Sequence, residues 1–248
     1  MSAKTWARKV KRNYLDSMTD KKDIIRYREN ISILNKEIGD ACRNSGRRPG
    51  EITVIAATKY VGPEGVRMIH ELGLNDFGEN RSDELLKKQE VLPEGTRWHF
   101  IGHLQSRKAK IVVPLVEYIH SIDSLSTMEK VGNEAGKVPK TQKVLIEVNI
   151  SGEQTKYGLR RDQVDSFINN ASNIKNIEIK GFMTMAPYTG DMEYIRKIFA
   201  ELRLLKEKMS GSYKDLDLTE LSMGMSNDFK IAIEEGATMI RVGSNIFK

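Results

Sequence analysis

Cysteine occurs once in the 248 residues, as Cys42, so neither an internal disulfide nor a cysteine metal cluster can form. In its helical surroundings that thiol reads as a half-buried packing residue. No stretch of about eighteen uncharged apolar residues is present, and no apolar segment near Met1 leads into a small-residue cleavage site. Both absences argue against a membrane span and against secretion, and a cytoplasmic protein is expected. There is no low-complexity linker, no Pro/Gly hinge and no internal repeat, which favours one domain. The glycine pattern holds no G-x-G-x-x-G after a strand, so nicotinamide binding has no support.

What is present begins with charge. The formal net charge is +6, and much of it lies in the first 22 residues, where Lys4, Arg8, Lys9, Lys11, Arg12, Lys21 and Lys22 face only Asp16 and Asp20. The remainder is nearly neutral. Residues 1–22 therefore read as a basic arm, either solvated and partly ordered or touching an anionic partner, and the body of the protein carries no nucleic-acid signal.

With 39 % hydrophobic residues, the chain can bury a substantial core. After the arm, Ile24, Ile25, Tyr27, Ile31, Leu34 and Ile38 fall on one helical stripe that stops at Ser45-Gly46. From there strand-like and helical runs alternate. The strand candidates are "EITVIAATK", "LNDFGEN", "RWHFIGHLQ", "EYIHSIDS", "KVLIEVNIS", "IEIKGFMTMAP", "LTELSMGMS" and "TMIRVGSNIF", with helical patterns near 63–73, 81–91, 105–114, 124–136, 161–174, 191–209 and 227–236. Strict alternation implies parallel strands, and eight units imply an α/β protein built as a single closed (β/α)₈ barrel over residues 23–248. An open doubly wound sheet is the rival, but it needs no eighth strand.

In such a barrel the reactive groups stand at the carboxyl ends of the strands. Lys59 stands there in "IAATKYVG", sharing parity with Thr53, Ile55 and Ala57, the face assigned to the barrel interior. An ammonium poorly solvated at an apolar rim loses proton affinity and can attack a carbonyl as a Schiff-base lysine; equally, a lysine at a strand end can simply snorkel to water. At the other end, "LSMGMSNDFKIAIEEGA" places Ser226 as a helix N-cap, where free amides favour a phosphate. "MIRVGSN" adds Gly243 for close backbone approach, the hydroxyl of Ser244, and Arg241 as a cation inside an apolar strand. Each has a plainer role: capping, turning, or pairing with a barrel carboxylate. Taken with a rim lysine, they point to a phosphorylated aldehyde, of which pyridoxal 5′-phosphate (PLP) is the common one.

The segments "AATKY", "FGEN", "WHFIGHLQ", "GFMTMAP", "LSMGMSNDF" and "IRVGSNIF" resemble, in order and spacing, the YggS/PROSC family of pyridoxal-phosphate homeostasis proteins over roughly residues 25–248. The resemblance implies a barrel of the alanine racemase N-terminal type that holds PLP as a lysine aldimine. It implies Lys59 as the cofactor lysine, Asn80 of the "GEN" segment near the cofactor, Met223 and Ser226 from "MGMS", and Arg241, Gly243 and Ser244 from the closing segment. Whether Arg241 meets the pyridine nitrogen or the phosphate stays open. The family often has threonine at the position of Ser244 and alanine at that of Asn245.

Other residues carry weaker signals. His99 and His103 share strand parity, but zinc sites need three or four ligands and no further set stands near, so no metal is expected; His103 reads as a pocket wall. Met183 and Met185 read as core or barrel lining. Lys156 is a second rim lysine, solvated or an accessory anion contact. The resemblance implies a carrier, buffer or donor of PLP with no catalytic residues, apo PLP-dependent enzymes as its recipients, and a monomer. The alternative is an amino-acid racemase on the same barrel. A racemase needs two opposed bases, one presented with help from an additional domain, and a chain ending soon after strand eight is expected to lack it.

Overall fold

The structure, a computed structural model, describes residues 3–90, 92 and 95–248, with side chains from residue 21 onward. Eight parallel strands close into one barrel in sequence order: β1 (Thr53–Ala57), β2 (Asp76–Glu79), β3 (Arg97–Phe100), β4 (Tyr118–Ile122), β5 (Gln142–Glu147), β6 (Ile177–Met183), β7 (Glu220–Met225) and β8 (Met239–Val242). β8 pairs back onto β1, with Thr53 opposite Met239 and Ile55 opposite Arg241. All eight strand expectations are met. The last stretch divides, however, because α9 (Ser244–Phe247) begins immediately after β8.

The crossovers are α2 (Pro63–Glu71), α3 (Ser82–Gln89), α4 (Ala109–Val112), α5 (Leu125–Ala135), α6 (Val164–Ala171), α7 (Met192–Ser212) and α8 (Phe229–Glu234). Local chemistry sets their starts. Pro63 opens α2 in the first turn, where its missing N–H costs nothing, and the Asp191 carboxylate accepts the Tyr194 amide at 2.9 Å to cap α7. The helix expected near 105–114 shortens to α4 between two 3₁₀ turns, the second of which contains Pro114.

α1 spans Ala3–Asn44, so the backbone of the expected arm runs on within one helix; the arm's charges up to residue 20 lie outside the described side chains. Tyr27, Ile31, Leu34 and Ile38 are buried as the stripe predicts, whereas Ile25 is 54 % exposed and faces away. α1 packs on α8 and α9. Tyr27 meets Phe247 edge-on at 5.5 Å, and the Asn30 amide donates to the Ile246 carbonyl at 3.0 Å. Cys42 is fully buried rather than half-buried, and burial raises its thiol pKa.

Strand alternation divides the apolar residues into two cores. The outer one lies between sheet and helices and includes Phe77, Trp98, Phe182 and Met223. The inner one is a small cluster of Ile55, Tyr118, Leu145, Met183 and Met239, with Met185 packed against it. Ile55 in the inner cluster establishes the parity expected for β1, and Met183 lines the barrel. No helix among the described residues is long and apolar enough to cross a membrane.

Candidate functional site

A cavity of about 740 Å³ opens at the carboxyl end of the strands between α1, the β1–α2 turn and the ends of β7 and β8. Lys59, Ser226, Arg241, Gly243 and Ser244 all line it, so five of the seven expected site residues converge from opposite ends of the chain. β1 ends at Ala57, and Lys59 leaves from the turn that the Val61 amide closes onto the Thr58 carbonyl at 2.9 Å. For that reason the lysine is exposed rather than sheltered at an apolar rim. Its ammonium rests 4.7 Å from the centre of the Tyr60 ring.

The peptide before Lys59 is held from within. Lys88 on α3 and Glu79 on β2 are an ion pair, 1 % and 0 % exposed at their side chains. Lys88 also donates to the Thr58 carbonyl at 2.7 Å, and the Thr58 hydroxyl donates to Glu79 at 2.7 Å. The second carboxylate oxygen of Glu79 accepts the Asn80 amide at 3.1 Å. The glutamate of the "GEN" segment thus ties the end of β1 to the end of β2.

On the far side, the Gly243 amide donates to the Ser226 hydroxyl at 3.2 Å, joining the loops after β7 and β8. Ser226 is not a helix cap. α8 begins at Phe229 with Asp228 in the cap position, and the Asp228 carboxylate turns back to accept the Met225 amide at 2.5 Å. Gly224, at φ +92°, makes the turn possible; a Cβ there would stand 2.5 Å from that of Ala232. At Gly243 a Cβ would come within 3.1 Å of the Ala57 carbonyl, so the bare backbone keeps β8 close to β1 beside the cavity. Ser244 then opens α9, whose first amides have no partner within the helix.

Arg241 is 5 % exposed and enters the barrel. Among the described residues it pairs with no carboxylate: Nη1 donates to Ser222 Oγ at 2.5 Å and Nη2 to the Thr184 carbonyl at 2.9 Å. Burial pushes its pKa down to about 10, against the pull of Asp228 and then Glu147. It remains cationic at neutral pH.

Two expected residues lie elsewhere. Asn80 lines a neighbouring hollow with Gly102, His103 and Tyr157; it covers Gly102, where an added Cβ would approach the Asn80 Cβ to 2.6 Å. Met223 faces the helices, because its neighbour Ser222 takes the inward position, and Met225 lines the cavity instead. His103 walls the neighbouring hollow, stacked on Tyr157 at 3.9 Å between ring centres. Lys156 is committed to Glu153 at 2.6 Å. The described residues contain no group of three or more His, Cys, Asp or Glu arranged to hold a metal ion.

The sequence reading missed Asp23, Arg26 and Tyr27, which α1 brings to the cavity wall. It also missed the inward His120, Ser222 and Glu147. Strand parity was the available signal: His120 lies two residues from Tyr118, and Glu147 two from Leu145, both of the inner cluster. Glu147 is 3 % exposed; burial, then the charge of Asp123, push its carboxyl up to about 7, with Arg241 pulling the other way.

These residues suit a phosphorylated aldehyde. The cavity offers the primary amine of Lys59, the two serine hydroxyls of Ser226 and Ser244 and a buried guanidinium, and its cations Lys59, Arg26, Arg241 and Lys248 outnumber Asp23 and Glu64. Its volume falls in the range of small-ligand sites.

Residues 47–248 match the family described as alanine racemase, N-terminal domain. The chain is 39 % identical over 220 residues to the pyridoxal phosphate homeostasis protein of Aquifex aeolicus, covering 88 % of this chain and 96 % of that one. With the protein of the same name from Escherichia coli it shares 32 % over 226 residues, 88 % and 94 % of the two chains. Among solved structures, PipY of Synechococcus elongatus with PLP bound superposes with a TM-score of 0.79 at 30 % identity, covering 90 % of this chain and all of that one. An alanine racemase of Clostridium difficile gives 0.72 at 13 % identity over 56 % of its own length, a likeness of fold.

Proposed function

The chain belongs to the YggS/PROSC family of pyridoxal phosphate homeostasis proteins, and on that premise we propose that it binds PLP in the cavity at the carboxyl end of its barrel and carries it without substantial catalytic turnover. The observation that carries this reading is the meeting of Lys59 with Ser226, Arg241, Gly243 and Ser244 around one cavity. When bound, PLP supplies an aldehyde with which a primary amine condenses reversibly, releasing water. Lys59 is the amine in reach of the cavity from the β1 turn. Ser226, Ser244 and the first amides of α9 offer donors for a phosphate, and Arg241 supplies a fixed positive charge.

The exposure of Lys59 favours a carrier. An amine that water and other amines can approach suits release and exchange better than a sequestered reaction. Apo PLP-dependent enzymes are the proposed recipients, and the protein acts as a soluble monomer in the cytoplasm.

Incubation with PLP, borohydride reduction and peptide mapping test the site: the pyridoxyl group is expected on Lys59. Label on Lys156 or Lys248 instead, or no label, overturns the assignment.

A further inference from the structure

Inside the barrel, polar side chains from five strands connect end to end. Arg97 and Asp76, the first residues of β3 and β2, pair at 2.6 Å and 2.5 Å at the amino end. Asp76 Oδ1 is 3.1 Å from His99 Nε2; His99 Nδ1 is 3.0 Å from His120 Nε2; His120 Nδ1 is 2.8 Å from Ser222 Oγ, which accepts from Arg241. His99, His120 and Ser222 are at most 1 % exposed. Arg241 is the link that reaches the cavity.

Proton counting gives the series a direction. Arg241 only donates, so Ser222 accepts from it and is free to donate its own proton to His120 Nδ1. His120 then carries its proton on Nε2 and donates to His99 Nδ1, and His99 Nε2–H donates to the Asp76 carboxylate. In this order the Ser222 hydroxyl and both ring N–H groups each have an acceptor. In the reverse order, the Ser222 hydroxyl would accept from both Arg241 and His120, leaving its own proton without an acceptor among the contacts of the described residues. A buried polar series is costly unless complete, and this one is complete in one direction only.

We propose that Asp76, His99, His120 and Ser222 are positioning residues that hold the Arg241 guanidinium at the cavity from the opposite end of the barrel. The inference rests on the PLP-site reading for its binding consequence alone; the chain itself is a property of the ligand-free protein. A guanidinium on a long stem has many rotamers, and Ser222 with the Thr184 carbonyl reduces them to one. The rings cannot turn over without breaking two bonds each, and His99 is further fixed by stacking on Tyr118, ring centres 5.4 Å apart and planes 3° from parallel.

The test is nitrogen NMR of the ligand-free protein, read together with PLP affinity. Both His99 and His120 are expected as neutral rings protonated on Nε2, and Arg241 is expected to show a protected guanidinium signal. Asp76→Asn should move the His120 ring signal and reduce the protection of Arg241, although the substituted side chain would touch neither. Should that variant fold poorly, Ser222→Ala interrupts the chain with the loss of a single oxygen and is expected to remove the protection of the Arg241 Nη1 protons, which Ser222 alone accepts, while leaving His99 on Nε2. PLP affinity should fall by roughly fivefold to tenfold in either variant, about the worth of one hydrogen bond. A Nδ1–H or cationic ring for either histidine in the wild type, or Arg241 signals unmoved in both variants, overturns the proposal. Absence of PLP binding by the wild type would sink the cofactor reading instead, and the NMR result would still decide the chain.

Discussion

The Lys88 ammonium donates to the Thr58 carbonyl at 2.7 Å, so a buried cation grips the peptide that leads into Lys59. Its charge is balanced by Glu79, which holds the Thr58 hydroxyl as well. Removing one partner leaves the other buried and uncompensated. Lys88→Met alone should therefore cost ~3–5 kcal/mol, whereas Glu79→Leu combined with Lys88→Met should recover most of that loss. Urea unfolding of the ligand-free proteins measures both. A double variant no more stable than the single one would mean that the cluster stabilises the barrel by more than charge balance.

The barrel was legible because alternation and strand count are properties of the chain itself, and Lys59, Ser226, Arg241, Gly243 and Ser244 followed from the rule that sites lie at carboxyl strand ends. What could not be read depends on pairings distant in sequence. Lys88 looks like any polar residue of an amphipathic helix until Glu79 and Thr58 are seen beside it. Ser222 and Met223 are adjacent, and the resemblance pointed to the methionine; only the closed sheet shows that the serine faces inward. That Asn80 lines the neighbouring hollow was hidden for a similar reason, since its contact with Gly102 is a relation between two loops.

Ser226→Ala should weaken PLP binding by roughly tenfold, since it removes a hydroxyl at the cavity and frees the Gly243 amide from its acceptor. Pyridoxal, lacking the phosphate, should lose much less. α8 starts at Phe229, so no helix cap is lost, and ligand-free stability should change by only ~0.5–1.5 kcal/mol, the worth of a single hydrogen bond. Calorimetric titration with the two ligands, beside a thermal melt, separates these effects. Equal losses for both ligands would place the phosphate away from Ser226.

A carrier should exchange its ligand yet process amino acids poorly. The PLP-loaded protein mixed with an apo PLP-dependent enzyme should restore that enzyme's activity. With L-alanine in deuterated water, exchange at Cα and formation of the D isomer should stay far below the ~1–10³ s⁻¹ of ordinary enzymes. Turnover in that range, lost in Lys59→Ala, would instead establish a racemase.

Glu147 makes stability depend on pH in an unusual sense for a carboxylate. In the unfolded chain it titrates near its ordinary 4.5, and in the fold burial raises it to about 7, so the fold prefers the protonated form. That preference is fully present below about 4.5 and is lost as the pH rises through about 7, because the buried group must then ionise. Glu147→Gln keeps the shape and removes the titration. The variant should match the wild type near the lower bound, gain on it across the window, and level off above it with an advantage of up to roughly 3 kcal/mol. Urea unfolding of the ligand-free proteins across that window reads the difference directly. A gap that does not change with pH would show that Glu147 ionises as freely in the fold as in the unfolded chain, with Arg241 offsetting the cost of burial.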